Sequence, residues 1–157
     1  MDEGERDRLI VELVRTKLPA LVLFARQWRH DSAEDVVQDA FLRLMRLAEP
    51  PHDPAAWLFA AVRNASNEHL RGRKRRIVRE SLAQAEKKSW FEPAESEDDL
   101  VAEMQSLPFD CRTVIVAKIW GELTFEQIGE MLGSSKSSVH RKYYEGLVRL
   151  KERWVES

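Results

Sequence analysis
Between Arg63 and Arg79 the chain crowds cations and amides together: Arg63, Asn64, Asn67, Arg71, Arg73, Lys74, Arg75, Arg76 and Arg79. Guanidinium and ammonium groups at this density neutralise phosphates, and amides among them can hydrogen-bond base edges, so one reading is a nucleic-acid surface. The other is a solvated basic helix end, and the stretch alone leaves both open. A second set, Lys136, Ser137, His140, Arg141 and Tyr144, combines cations suited to phosphates or bases with a hydroxyl suited to a phosphate. A third set has the opposite sign: Glu34, Asp35, Gln38 and Asp39, followed by Arg43. Paired carboxylates can do acid–base work, but no nucleophile or phosphate loop accompanies these, so a solvated or partner-facing surface is the better account. His30, His52, His69 and His140 lack ligand spacing, and Cys111 is the only cysteine, which excludes an intrachain disulfide and a CxxC zinc site. No catalytic residue, metal or cofactor is implied.

Helices must position these sets. From Asp2 to Trp28 apolar residues recur at helical spacing around Pro19, which predicts two helical pieces. Ser32 followed by Asp35 is a variant capping box opening a helix with Val36, Val37, Ala40, Phe41, Leu44 and Met45 on its inner face. Pro50-Pro51 makes a short stiff loop, and Asp53-Pro54 starts the next helix, with Trp57, Leu58, Ala60, Ala61 and Val62 available to pack. Residues 80–96 are polar and weakly periodic, a linker with room for a short helix at Glu80–Lys88. Beyond it, helices are expected over Glu97–Leu107, over Phe109–Trp120 with Gly121 as its stop, from a Thr124–Gln127 capping box to Gly133, and from Ser134 or Ser135 onward. The last helix directs Val139, Tyr143, Leu147, Leu150 and Trp154 inward. A short capped helix, a glycine turn and a longer helix opening with serines and basic residues form a helix-turn-helix pattern, the arrangement that places a helix in a major groove. The fold class is therefore all-α: two small helical domains, 1–79 and 97–157, joined by a flexible linker at 80–96.

The 157 residues carry a net charge of -2, with 43% hydrophobic and 33% charged residues. That balance fits a soluble globular protein, and the small net charge hides basic segments at 63–79 and 136–153 beside an acidic one at 92–103. No stretch approaches the roughly 20 apolar residues of a membrane span, and the charged start MDEGERDRL is unlike a signal peptide, so the cytoplasm is the default compartment.

Asp35-Val36-Val37-Gln38-Asp39-Ala40-Phe41 closely matches a D-x-x-Q-[DE]-x-F signature, Trp57-Leu58 with Asn64 matches a W-L-x-x-x-x-x-N helix, and Leu107-Pro108, Glu126-Gln127-Ile128-Gly129 and Ser137-Ser138-Val139 complete the set. In this order and spacing the chain resembles a bacterial sigma factor of the extracytoplasmic-function group, over nearly its whole length. The resemblance implies a dissociable specificity subunit of RNA polymerase, not an enzyme, with region 2 in the first domain and region 4 in the second. Asp35, Gln38, Asp39 and Arg43 would face the polymerase β′ clamp, and region 4 the β flap. Asn64 would contact bases of the minus-10 element, with Asn67 beside it; Arg63, Arg71, Arg73, Lys74 and Arg75 would hold phosphates, and the loop Glu49–Asp53 would capture an extruded base. Lys136, Ser137, His140, Arg141 and Tyr144 would read the minus-35 element. An anti-sigma factor is a possible further partner. The rival reading is a helix-turn-helix regulator that never joins a polymerase holoenzyme, against which the 35–41 signature speaks.

Overall fold
The computed structural model describes residues 2–29, 31–79 and 104–156, with side chains to residue 72 in the second stretch and to residue 152 in the third. The possible helix at Glu80–Lys88, and the expected helix over Glu97–Leu107 up to residue 103, lie outside the described residues, as do His30 and the side chain of Trp154. Every regular element described is helical, and the chain divides into two compact units, Met1–Phe91 and Glu92–Ser157.

The first unit packs α1 (Glu3–Arg26), α2 (Ala33–Arg46) and α3 (Pro54–Arg79) against one another. Leu21, Phe24, Leu58, Phe59 and Val62 are fully enclosed, and the Phe24 ring meets those of Trp28 and Phe59 edge to face, both at 5.2 Å. Each such side chain contributes about 1.5–3 kcal/mol by leaving water. Asp2 caps α1 by accepting from the Glu5 N–H at 2.8 Å. The two helical pieces expected around Pro19 are in fact one continuous helix. Pro19 and Arg15 are both exposed, so the Arg15 carbonyl that loses its N–H partner is not shut into the core. The capping box expected at Ser32 does not form either: its side chain makes no cap bond, and Oγ lies 3.4 Å from the carboxylate of Asp31 instead. Asp53 does cap, accepting from the Ala56 N–H at 3.2 Å one residue before the proline that opens α3.

The second unit contains α4 (Phe109–Ile115), a π-helical turn over Val116–Trp120, α5 (Phe125–Leu132) and α6 (Lys136–Glu156). Val114, Val116, Ala117, Ile128 and Val139 are fully buried. The segment expected as one α-helix over Phe109–Trp120 thus widens halfway, with the Gly121 N–H donating five residues back to the Val116 carbonyl at 3.0 Å. Gly121 closes this turn in ordinary right-handed conformation, and the left-handed residue is Glu122, at φ 58°. Trp120 is only half-buried, whereas Arg112 is buried and donates to the Leu107 carbonyl at 3.0 Å. Gly146 lets α6 approach α4 closely, since a Cβ there would sit 2.6 Å from Ile115 Cδ1 and 3.3 Å from Cys111 Cβ. Cys111 is enclosed in that contact, and burial, then the Glu145 carboxylate, pushes its thiol pKa up.

Candidate partner and nucleic-acid interfaces
On α2 the apolar stripe Val36, Val37, Ala40, Phe41 and Leu44 faces inward, which forces Asp35, Gln38, Asp39 and Arg43 out into solvent. Glu34 and Asp35 occupy the first turn, where the positive end of the helix dipole favours carboxylates. Leu42 falls within this polar arc and is 40% exposed. No motif marks Leu42, although its helical position between Asp35 and Gln38 places it on this face. Met45, expected on the inner face, is also exposed; it lies one turn beyond Leu42 and lines a shallow cleft with Arg6 and Ile10 of α1. The Arg43 guanidinium lies 5.9 Å from the centre of the Trp57 ring, so the last residue of this face leans on the first turn of α3.

Leu58, Phe59, Ala61, Val62 and Ser66 turn one side of α3 into the core. The polar side carries Arg63, Asn64, Asn67 and Arg71, which at about 100° per residue span an arc of roughly 100°. Asn64 is exposed, with the half-buried Arg63 reaching its Oδ1 at 3.5 Å. Arg71 pairs with Glu68 at 2.9 Å in solvent. Asn67 differs from the rest: it is half-buried, and its Oδ1 accepts a 2.8 Å hydrogen bond from the indole N–H of Trp28. The backbone of α3 runs through Arg73, Lys74 and Arg75, whose side chains lie outside the described residues.

In the second unit the Thr124 hydroxyl accepts from the Gln127 N–H at 3.0 Å and the Gln127 side chain accepts from the Thr124 N–H at 2.7 Å, the reciprocal cap expected from sequence. Gly133 ends α5 at φ 67°, and Ser135 opens α6 by accepting from the Ser138 N–H at 3.1 Å. The turn between them is tight: a Cβ on Gly129 would come within 2.8 Å of the Ser134 carbonyl oxygen. Lys136, Ser137, His140, Arg141 and Tyr144 are exposed along α6, opposite the buried Val139, Gly146 and Leu150; Tyr143 and Leu147 are half-buried at the margin. The Phe125 ring meets His140 at 4.9 Å and Tyr143 at 5.3 Å, and His140 meets Tyr144 at 4.6 Å. Lys118, from the π turn, places its ammonium 4.6 Å from the centre of the Phe125 ring. No sequence signal put Lys118 there, because a one-residue widening of a helix leaves no periodic trace.

Among the described residues no cluster of His, Cys, Asp or Glu could hold a metal ion, and no helix is long and apolar enough to cross a membrane.

Residues 13–76 match the model of sigma-70 region 2, and residues 104–152 match that of sigma-70 region 4. Among solved structures, the sigma factor RpoE of Bartonella quintana, in a complex with the anti-sigma factor NepR, superposes with a TM-score of 0.69 at 25% identity. That alignment covers 90% of this chain and 92% of the other. No curated protein sequence matches the chain significantly. The exposed face of α2, the cationic helix α3 and the helix-turn-helix of α5 and α6 are thus those of a sigma-70 family sigma factor carrying regions 2 and 4 in the extracytoplasmic-function arrangement, a non-enzymatic transcription-initiation factor that binds RNA polymerase and DNA.

Proposed function
We propose that this sigma factor divides its work among three faces. Asp35, Gln38, Asp39 and Arg43, with Leu42 at their centre, dock on the β′ clamp of core RNA polymerase. Asn64, Asn67, Arg63, Arg71, Arg73, Lys74 and Arg75 read and hold the minus-10 element, and the loop Glu49–Asp53 captures an extruded base. Lys136, Ser137, His140, Arg141 and Tyr144 read the minus-35 element, and region 4 rests on the β flap. The observation that carries this reading is that α2 exposes Asp35, Gln38 and Asp39 on one face, around Leu42, while α3 of the same unit exposes Asn64 and Arg71, with Arg63 and Asn67 half-buried beside them. An acidic face would repel DNA, so it calls for a protein partner. We place the domains at 1–79 and 97–157 with a connecting segment at 80–96, whose acidic end can thread a basic channel by mimicking nucleic acid. The factor works in the cytoplasm, where the polymerase is. The Bartonella quintana factor is held by NepR, and an anti-sigma partner of this chain would act most simply by covering the α2 face.

Free protein should bind promoter DNA weakly, because strand opening costs several kcal/mol that only the polymerase complex offsets. Reconstitution with core polymerase on a promoter library tests this: specific initiation is expected, and its absence from every promoter overturns the reading. Charge reversal, Asp35→Lys with Asp39→Lys, should weaken core binding by tenfold or more, on the order of 1.4 kcal/mol, while the helical circular-dichroism signal stays unchanged. Unchanged core affinity would move the docking face elsewhere.

A further inference from the structure
Asn67 holds a hydrogen bond inside the protein while lying on the face proposed to meet DNA, and the chemistry of its partner decides what it can offer. Trp28 is 7% exposed and packed edge to face on Phe24. Its indole nitrogen is a donor and never an acceptor, so the atom 2.8 Å away must be the amide oxygen. The orientation of this amide is thereby fixed by chemistry, where an amide on a free surface can turn either way. With the oxygen held inward, the NH2 group is the outward end, and it makes no other hydrogen bond among the described residues. Around α3, Asn67 lies about 40° from Arg63 on one side and about 40° from Arg71 on the other.

We propose that Trp28 is a positioning residue that locks Asn67 as a donor, so that Asn67 recognises a hydrogen-bond acceptor on the promoter strand, either a phosphate oxygen or a base acceptor. The locked amide cannot turn its oxygen outward, so it does not make the two-point contact with adenine that needs amide oxygen and nitrogen together. This inference rests on the minus-10 reading of α3, and sharpens it from a cationic surface to a surface with one donor of set direction.

The test is open-complex formation by the reconstituted holoenzyme, measured well below the unfolding temperature. Asn67→Ala should reduce opening by about tenfold. Trp28→Phe, which keeps the ring and removes the donor, should reduce it severalfold and, where the acceptor is a base, lower the discrimination between promoters substituted at single minus-10 positions. The double variant should be no worse than Asn67→Ala, because the lock is useless without the amide. If both residues serve only the fold, both variants lower the melting temperature and leave opening and discrimination unchanged, which overturns the proposal. Additive losses in the double variant overturn the lock. Methylphosphonate substitution of single phosphates and base substitution distinguish the two acceptors: cancellation of the Asn67→Ala effect by one modified phosphate assigns a phosphate oxygen, and cancellation by one base change assigns a base. Asn64→Ala runs in parallel: if it too leaves opening unchanged, the minus-10 reading of α3 fails; if it reduces opening while Asn67→Ala does not, only the present proposal fails.

Discussion
The two helices proposed to meet DNA, α3 in region 2 and α6 in region 4, both bury one side and expose cations on the other, yet they hold their polar groups differently. On α3 each described candidate is engaged: Arg63 with Asn64, Asn67 with Trp28, and Arg71 with Glu68. On α6 the candidates at the N-terminal end, Lys136 and Arg141, form no ion pair among the described residues, and order comes from the turn beneath them and from the rings of Phe125, His140 and Tyr144. A helix end entering a major groove gains from free cations, since groove geometry itself orders them. A helix side meeting an opened strand has no groove to align it. Its donors must be aimed in advance, as preorganised contacts lose less entropy on binding.

The strongest way to break this comparison is to remove the turn that delivers α6. Gly129→Val would drive a side chain into the backbone carbonyl of Ser134, which cannot yield as a flexible side chain could. A loss of about 1–3 kcal/mol or more is expected in region 4, seen as earlier melting of that unit alone, with the core binding proposed for α2 retained. Next, Lys136→Ala and Arg141→Ala should each weaken promoter binding with little dependence on sequence and reduce the salt slope of log K by about one. A base-specific loss with an unchanged slope would show direct readout instead. A smaller effect should come from Glu68→Ala on α3. Releasing Arg71 from an exposed pair changes stability little, but the freed cation should raise promoter affinity modestly at low salt, and unchanged affinity would mean that Arg71 does not reach the strand.

The smallest effect concerns Cys111. Burial raises its thiol pKa in the folded state, so the native protein holds that proton more tightly than the unfolded chain. The resulting stabilisation is fully present below the unfolded thiol pKa and is lost as pH rises through the folded one. Alkylation at pH 8 should therefore be slow and should track unfolding of region 4, whereas fast alkylation of the native protein would show an accessible thiolate.

Asp53 before Pro54, and Thr124 three residues before Gln127, showed their caps in the sequence, because a cap is made by residues within one turn of each other. The inner stripe of α2 was legible for the same reason, and it forced Asp35, Gln38 and Asp39 outward. Local signals failed where a neighbour intervened. Pro19 is a helix breaker only where its missing donor matters, and packing of α1 on α2 and α3 keeps the helix whole around it. Ser32 had the right spacing for a cap but not the backbone geometry, at φ -110° and ψ 22°. Met45 lay at the edge of the stripe, where helical phase alone could not settle its side.

Short-range periodicity and the three motifs thus determined that this chain is helical, that it has the two regions of a sigma factor, and which residue types face outward. Tertiary structure alone decided what those residues can do. Thirty-nine positions separate Trp28 from Asn67, and only the packing of α1 against α3 brings an indole donor to that amide and so gives it a direction. The π turn likewise carries Lys118 to Phe125 beside the recognition helix. A sequence fixes which groups can form hydrogen bonds, whereas their orientation depends on partners far along the chain.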